Sequence, residues 1–254
     1  MTEVSGLSNL EQLRIGTAVH EDLRRFLEQV VDFYGKDLIS IIAFGSCVTG
    51  DYVEASSDIN LLVVYSELNI ADLRRVADLS RRWLSRRQFA PRFLSRRNLQ
   101  SSYRYFPIDM LSMKEAHVVL WGEDLLSQIV LEPREMHWQL AHEIKRMRMR
   151  IKQQFWRTCD RPVEMKRVLL ERFTSIAYLA RALLWLRHVN VSPARGAIMD
   201  AAVRELGISA QFVNAVLELK SGRRKASGDE LIELFTRTMD AIRVVDEQTE
   251  AAKP

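Results

Sequence analysis

Two short stretches of this chain carry side chains able to handle phosphate. The first is Gly45-Ser46, which closes an almost wholly apolar run, Leu38 to Phe44. The second is Ser57-Asp58-Ile59-Asn60, which opens another, Leu61 to Tyr65. In a strand, residues i and i+2 point the same way, so Asp58 and Asn60 share a face at the strand mouth. A small turn beside two oxygen-bearing side chains at that spacing can hold a triphosphate and a magnesium ion. A hard cation takes oxygen ligands, and glycine-rich turns offer backbone amides to phosphate.

The pattern resembles the polymerase-beta-type nucleotidyltransferases, the superfamily that includes the aminoglycoside nucleotidyltransferases. Their motif is an apolar residue and Gly-Ser, a loop of roughly ten residues, then Asp-x-Asp inside an apolar strand. Here Phe44-Gly45-Ser46 is followed by the eleven residues Cys47 to Ser57, and then by Asp58-Ile59-Asn60-Leu61-Leu62. The family's third carboxylate lies on a later strand, and Asp109 in Phe106-Pro107-Ile108-Asp109-Met110-Leu111 is the match. The resemblance continues through Val119 to Leu126 and into a helical C-terminal half.

What it implies is transfer of a nucleoside monophosphate from a nucleoside triphosphate to an acceptor hydroxyl, with Mg2+ as cofactor. Asp58 would bridge two ions, with Asn60 and Asp109 completing the metal set. Ser46 and the Gly45-Ser46 amides, joined by Ser57, would hold the nucleotide. Glu143, on the first helix of the C-terminal half, is the family-like general base. Asn60 departs from the pattern. An amide offers one carbonyl oxygen and no charge, and losing a unit charge near a dication costs several kcal/mol at an effective dielectric of about 20. The alternative is therefore a catalytically degenerate relative, acting as a nucleotide sensor or partner-binding module.

Each of these residues also has a purely structural reading. Gly45-Ser46 can be only a tight turn, and Asp58 a loop-closing residue. Asp109 can be neutralised by one of many arginines, and Glu143 paired with Arg146 or Arg150. Arg181 and His188, seven apart, share a helix face at a spacing also seen in helical ribonucleases, although chance produces it often. The tryptophans 121, 138, 156 and 185 are expected to fill the bundle or the domain interface.

Around these motifs, helical periodicity runs over residues 9 to 34, with Leu10, Leu13, Val19, Leu23, Phe26 and Val30 in one stripe, and Gly35 ends it. Asn69 caps a helix from Ile70 to Arg87. Phe89 to Leu99 and Tyr103 to Leu111 read as strands. Ser112-Met113-Lys114-Glu115 has capping-box spacing, which places a short helix after the Asp109 strand, stopped by Gly122. This order argues for a small mixed α/β (α+β) sheet domain. Beyond Pro133 only helices are expected: 135–157, 163–188, 194–206, 210–220 and 229–247, an up-and-down bundle. The predicted domains are 1–132 and 133–254, with the nucleotide cleft between them.

Composition narrows the function classes. At 254 residues, 47% hydrophobic and 28% charged, the chain suits one or two globular domains. No apolar run reaches the roughly 18 residues of a membrane helix, and the N-terminus lacks signal-peptide layout, so a cytoplasmic protein without membrane contact is expected. Two cysteines, Cys47 and Cys159, supply neither a disulfide framework nor metal-site spacing. The net charge is +4, but residues 74 to 104 hold ten arginines against the single acid Asp78. That patch is a solvated face or, as a third reading, a nucleic-acid surface. The sequence leaves the acceptor and the oligomeric state open, a homodimer included.

Overall fold

The computed structural model describes residues 7–54, 57–67, 74 and 89–252. The chain divides into two compact units, one of residues 1–105 and 109–131, the other of 106–108 and 132–254.

In the first unit, helix α1 (Thr17–Tyr34) buries Val19, Leu23, Phe26, Leu27 and Val30. It starts later than its apolar stripe suggests, because Asn9 adopts a left-handed conformation and Leu10–Gln12 form a separate 3-10 turn. Gly35 terminates it as expected. Strand β1 (Leu38–Phe44) is nearly all buried, which fits a strand covered on both faces. A short helix, α2 (Ser46–Thr49), follows Gly45. The other strands are β2 (Ile59–Tyr65), β3 (Phe89–Ser95) and β4 (His117–Gly122), in the order β3-β2-β1-β4. β1 runs antiparallel to β2 and β4, whereas β2 and β3 are parallel.

Side-chain alternation sends the two sheet faces into separate cores. Ile41, Ala43, Ile59, Leu61 and Val63 pack with α1. Ile42, Phe44, Leu62 and Val64 pack with Leu99 of α3 (Arg96–Ser102), Met110 and Met113 of α4 (Pro107–Glu115), and Leu125, Leu126 and Ile129. If each buried aliphatic side chain stabilises by about 1.5–3 kcal/mol, these two layers are what fix the sheet.

The region from 95 to 122 corrects the sequence reading. Tyr103–Leu111 is no strand; Pro107 opens α4, as proline does at a first helical position. Ser112 to Glu115 are the last turn of that helix, not the start of another. The segment expected to be helical after them is β4. It ends at Gly122, whose φ of +76° and 2.1 Å approach of any Cβ to the Ile39 carbonyl admit only glycine. The helix expected over 70–87 lies, apart from Arg74, outside the described residues.

The second unit is helical. α5 (Pro133–Thr158) buries Met136, Leu140, Ile144, Met147 and Ile151, a spacing of three and four residues that puts them on one face. It packs with α6 (Pro162–Leu186) and α9 (Gly228–Ala251). α7 (Arg195–Ala201) and α8 (Ala210–Lys220) complete it. α9 begins with a full capping box, in which the Ser227 hydroxyl accepts from the Glu230 amide and the Glu230 carboxylate accepts from the Ser227 amide. Trp138 and Trp156 do not fill the bundle, being 65% and 80% exposed. No helix among the described residues is long and apolar enough to cross a membrane.

Candidate functional site

Phe44 pairs with Asn60 in the β1–β2 ladder. That single register places the Gly45-Ser46 turn beside the mouth of β2, where Asp58 leads into the strand. Gly45 takes φ +80°, ψ −139°, a conformation open essentially to glycine alone. Its amide donates to the Ala116 carbonyl at 3.0 Å. The expectation that this amide faces a phosphate is thereby corrected, since Gly45 shapes the turn and is anchored. The Ser46 and Cys47 amides stand in the first turn of α2, where a helix provides no internal partner.

Asp58 is exposed and Asn60 half-buried. The Asn60 amide nitrogen lies 3.4 Å from where a Cβ on Gly45 would sit, so the side chain leans toward the turn. The Ser57 hydroxyl accepts the Val53 amide at 3.0 Å, and the Ser57 amide donates to the Val53 carbonyl at 2.7 Å; Ser57 thus closes the preceding loop. Burial, then the neighbouring Glu54 carboxylate, the Cys47 sulfur where it ionises at high pH, and the Asp58 carboxylate, push the Tyr52 phenol up. It remains a protonated donor, and its buried hydroxyl has no hydrogen-bond partner among the described residues. Burial pushes the Cys47 thiol up to about 11, which keeps it neutral and makes it a poor nucleophile.

Asp109 sits in the first turn of α4, on the Asn60 side of the sheet, where Met110 and Met113 join the core. The expected strand carboxylate is therefore a helical one, and its Oδ1 lies 3.8 Å from the Arg92 guanidinium of β3. Arg92 pairs with Leu62 in the parallel ladder, which puts it on the same face as Asn60. Sequence reasoning named the arginine-rich segment as a patch and missed Arg92 as a member of the site. The signal available was its alternation, since Arg92 interrupts an otherwise apolar Phe93-Leu94 strand after Pro91.

The comparisons with known proteins bear on the fold. Residues 23–102 match the model of the nucleotidyltransferase domain family. No curated protein matches the sequence. Among solved structures, spectinomycin adenyltransferase AAD(9) from Enterococcus faecialis, with ATP and spectinomycin, is similar at a TM-score of 0.57 and 11% identity. The likeness covers 91% of this chain and 99% of that one. The chain shares the nucleotidyltransferase fold of that adenyltransferase.

At this end of the sheet the donor set does not fit a pair of magnesium ions. Asp58 supplies one carboxylate, Asn60 an uncharged amide, and Asp109 a carboxylate already facing a guanidinium. No group of three or more His, Cys, Asp or Glu able to hold a metal occurs among the described residues. Two-ion chemistry needs several anionic oxygens around ions about 3.5–4 Å apart, and this end of the sheet does not assemble them.

Glu143 lies on α5 and pairs with Arg146 at 3.1 Å. Arg181 is buried in α6 and donates to the Val191 carbonyl at 2.6 Å. His188 follows the end of α6 with φ +57°, so the two do not share a helix face. Of the arginine patch, Arg96 is paired with Glu123 at 2.6 Å, while residues 75, 81, 82, 86 and 87 lie outside the described residues.

Proposed function

We propose that the chain binds a nucleoside triphosphate at the end of the sheet where Phe44-Gly45-Ser46, Asp58 and Asn60 meet. The observation that carries this reading is the Phe44–Asn60 register pair, which sets the phosphate turn beside the strand mouth within the matched domain. The Ser46 hydroxyl and amide are the donors proposed for the outer phosphates.

The nucleotidyltransferase fold supports nucleotidyl transfer in general. In that reaction an acceptor hydroxyl attacks the α-phosphorus, pyrophosphate leaves, and the acceptor proton passes to a base. The similar structure holds ATP and spectinomycin, and by analogy the pair here is a nucleoside triphosphate and a hydroxyl-bearing acceptor, with Glu143 as candidate base. A second reading, nucleotide binding without transfer, is favoured by Asn60 and by the Arg92–Asp109 pair, which leave the metal set incomplete.

Pyrophosphate release from each nucleoside triphosphate in magnesium buffer, with and without aminoglycoside acceptors, separates the two. Release that Asp58→Ala abolishes and Glu143→Gln lowers supports transfer. Binding by calorimetry without release supports the sensing role. Failure to bind any of the four refutes both.

A further inference from the structure

Arg92 has a reach that its strand position alone does not suggest. It belongs to β3, yet its guanidinium carbon lies 5.5 Å from the centre of the Phe44 ring on β1. β2 runs between those strands, and neighbouring strands stand about 4.8 Å apart. The side chain therefore leans across β2, on the face that carries Asn60. Phe44 is the residue immediately before the Gly45-Ser46 turn. Asp109 faces the guanidinium at 3.8 Å, so a fixed cation stands at the end of the sheet where the phosphates of a bound nucleotide would lie.

We propose that this site takes the polyphosphate of a nucleotide as the free anion, with the Arg92 guanidinium as its counter-charge and no divalent cation required. The inference rests on the nucleotide-binding reading above. A guanidinium is planar and permanently charged, and its five donors match phosphate oxygens in pairs. The Phe44 ring beneath it holds the plane, and Asp109 is the partner that a phosphate would exchange with. Arg92 and Asp109 are 53% and 36% exposed, and an ion pair so open to water contributes little. A polyphosphate can therefore replace Asp109 as the partner at little cost. A magnesium–nucleotide complex brings its dication toward an existing cation and finds at Asn60 no charge to offset it.

The test is calorimetric titration of the full chain with ATP, GTP, CTP, UTP and inorganic triphosphate, once in EDTA and once in magnesium. At least one nucleotide is expected to bind in EDTA as tightly as in magnesium or more so. Arg92→Ala and Arg92→Gln are expected to weaken that binding by about tenfold or more, the scale of one lost charge-assisted pair. Arg92→Lys should recover part of it, and thermal melts of the variants should match the parent. Binding that needs magnesium, or that Arg92→Ala and Arg92→Gln leave unchanged in EDTA, overturns the proposal and leaves the nucleotide reading standing. Absence of binding in both buffers overturns both.

Discussion

At residue 45 the backbone itself is specialised. Its φ of +80° and ψ of −139° cost a side-chain-bearing residue about 1–3 kcal/mol, and a Cβ would meet the Asn60 amide nitrogen at 3.4 Å. Gly45→Ala is expected to lower stability by that amount in urea denaturation and to weaken nucleotide binding as well; an unchanged midpoint would contradict the assignment. Position 60 gives a second prediction. Restoring a carboxylate with Asn60→Asp supplies the missing charge but also gives Arg92 a new partner across the strand. The single variant is expected to gain no magnesium affinity, and Asn60→Asp combined with Arg92→Ala should gain at least tenfold, as read by titrating magnesium into each protein. The strands that flank the Gly45-Ser46 turn and carry Asn60 were legible in the sequence as short apolar runs. Arg92 was not, since its place over Phe44 depends on a parallel pairing between segments about thirty residues apart.

At the scale of elements, the long apolar runs announced themselves. β1, α8 and the major helices of the second unit follow from their periodicity, with ends displaced by a few residues. The failures cluster between Tyr103 and Gly122, where short segments of mixed polarity fit helix or strand equally well and the packing of Met110 and Met113 decides. One joint there is sensitive to acid. Burial pushes the Asp124 carboxylate up, but the Ser127 hydroxyl and amide and the His117 ring outweigh it and hold it below its usual range. A carboxylate lowered in the folded state stabilises above its unfolded value, about 3.9, and that contribution fades as the pH falls further. Asp124→Asn should flatten the acid limb of the stability curve between about pH 4 and pH 2; a limb of unchanged slope would argue against the link. In the second unit, Asp246 of α9 is 2% exposed and meets Lys145 and Arg148 of α5. Asp246→Ala is expected to cost about 1–3 kcal/mol in chemical denaturation, with the loss arising at the α5–α9 contact.

Over the whole molecule, charge is the quantity that the sequence states and the structure redistributes. The chain carries +4 overall, concentrated in the arginines between 74 and 104, of which Arg92 and Arg96 already face acids. Sequence-independent nucleic-acid binding is accordingly expected to be weak. By fluorescence anisotropy, affinity for a short mixed oligonucleotide should fall steeply between about 50 and 200 mM salt and stay below that for nucleotide. Tight binding at the upper salt would revive the nucleic-acid reading.

The hydrogen bond from Gly45 to Ala116 ties the turn before α2 to the residue that directly follows α4. On the proposed reading, a phosphate at Ser46 and one displacing Asp109 from Arg92 would act on segments joined by that one link. The two contacts should report on each other, and a double-mutant cycle between Ser46→Ala and Asp109→Asn would show a coupling energy instead of simple addition. On the proposed nucleotide reading this amounts to a length rule: a chain of phosphates spanning both ends would tighten one joint, while a single phosphate would engage only half of it.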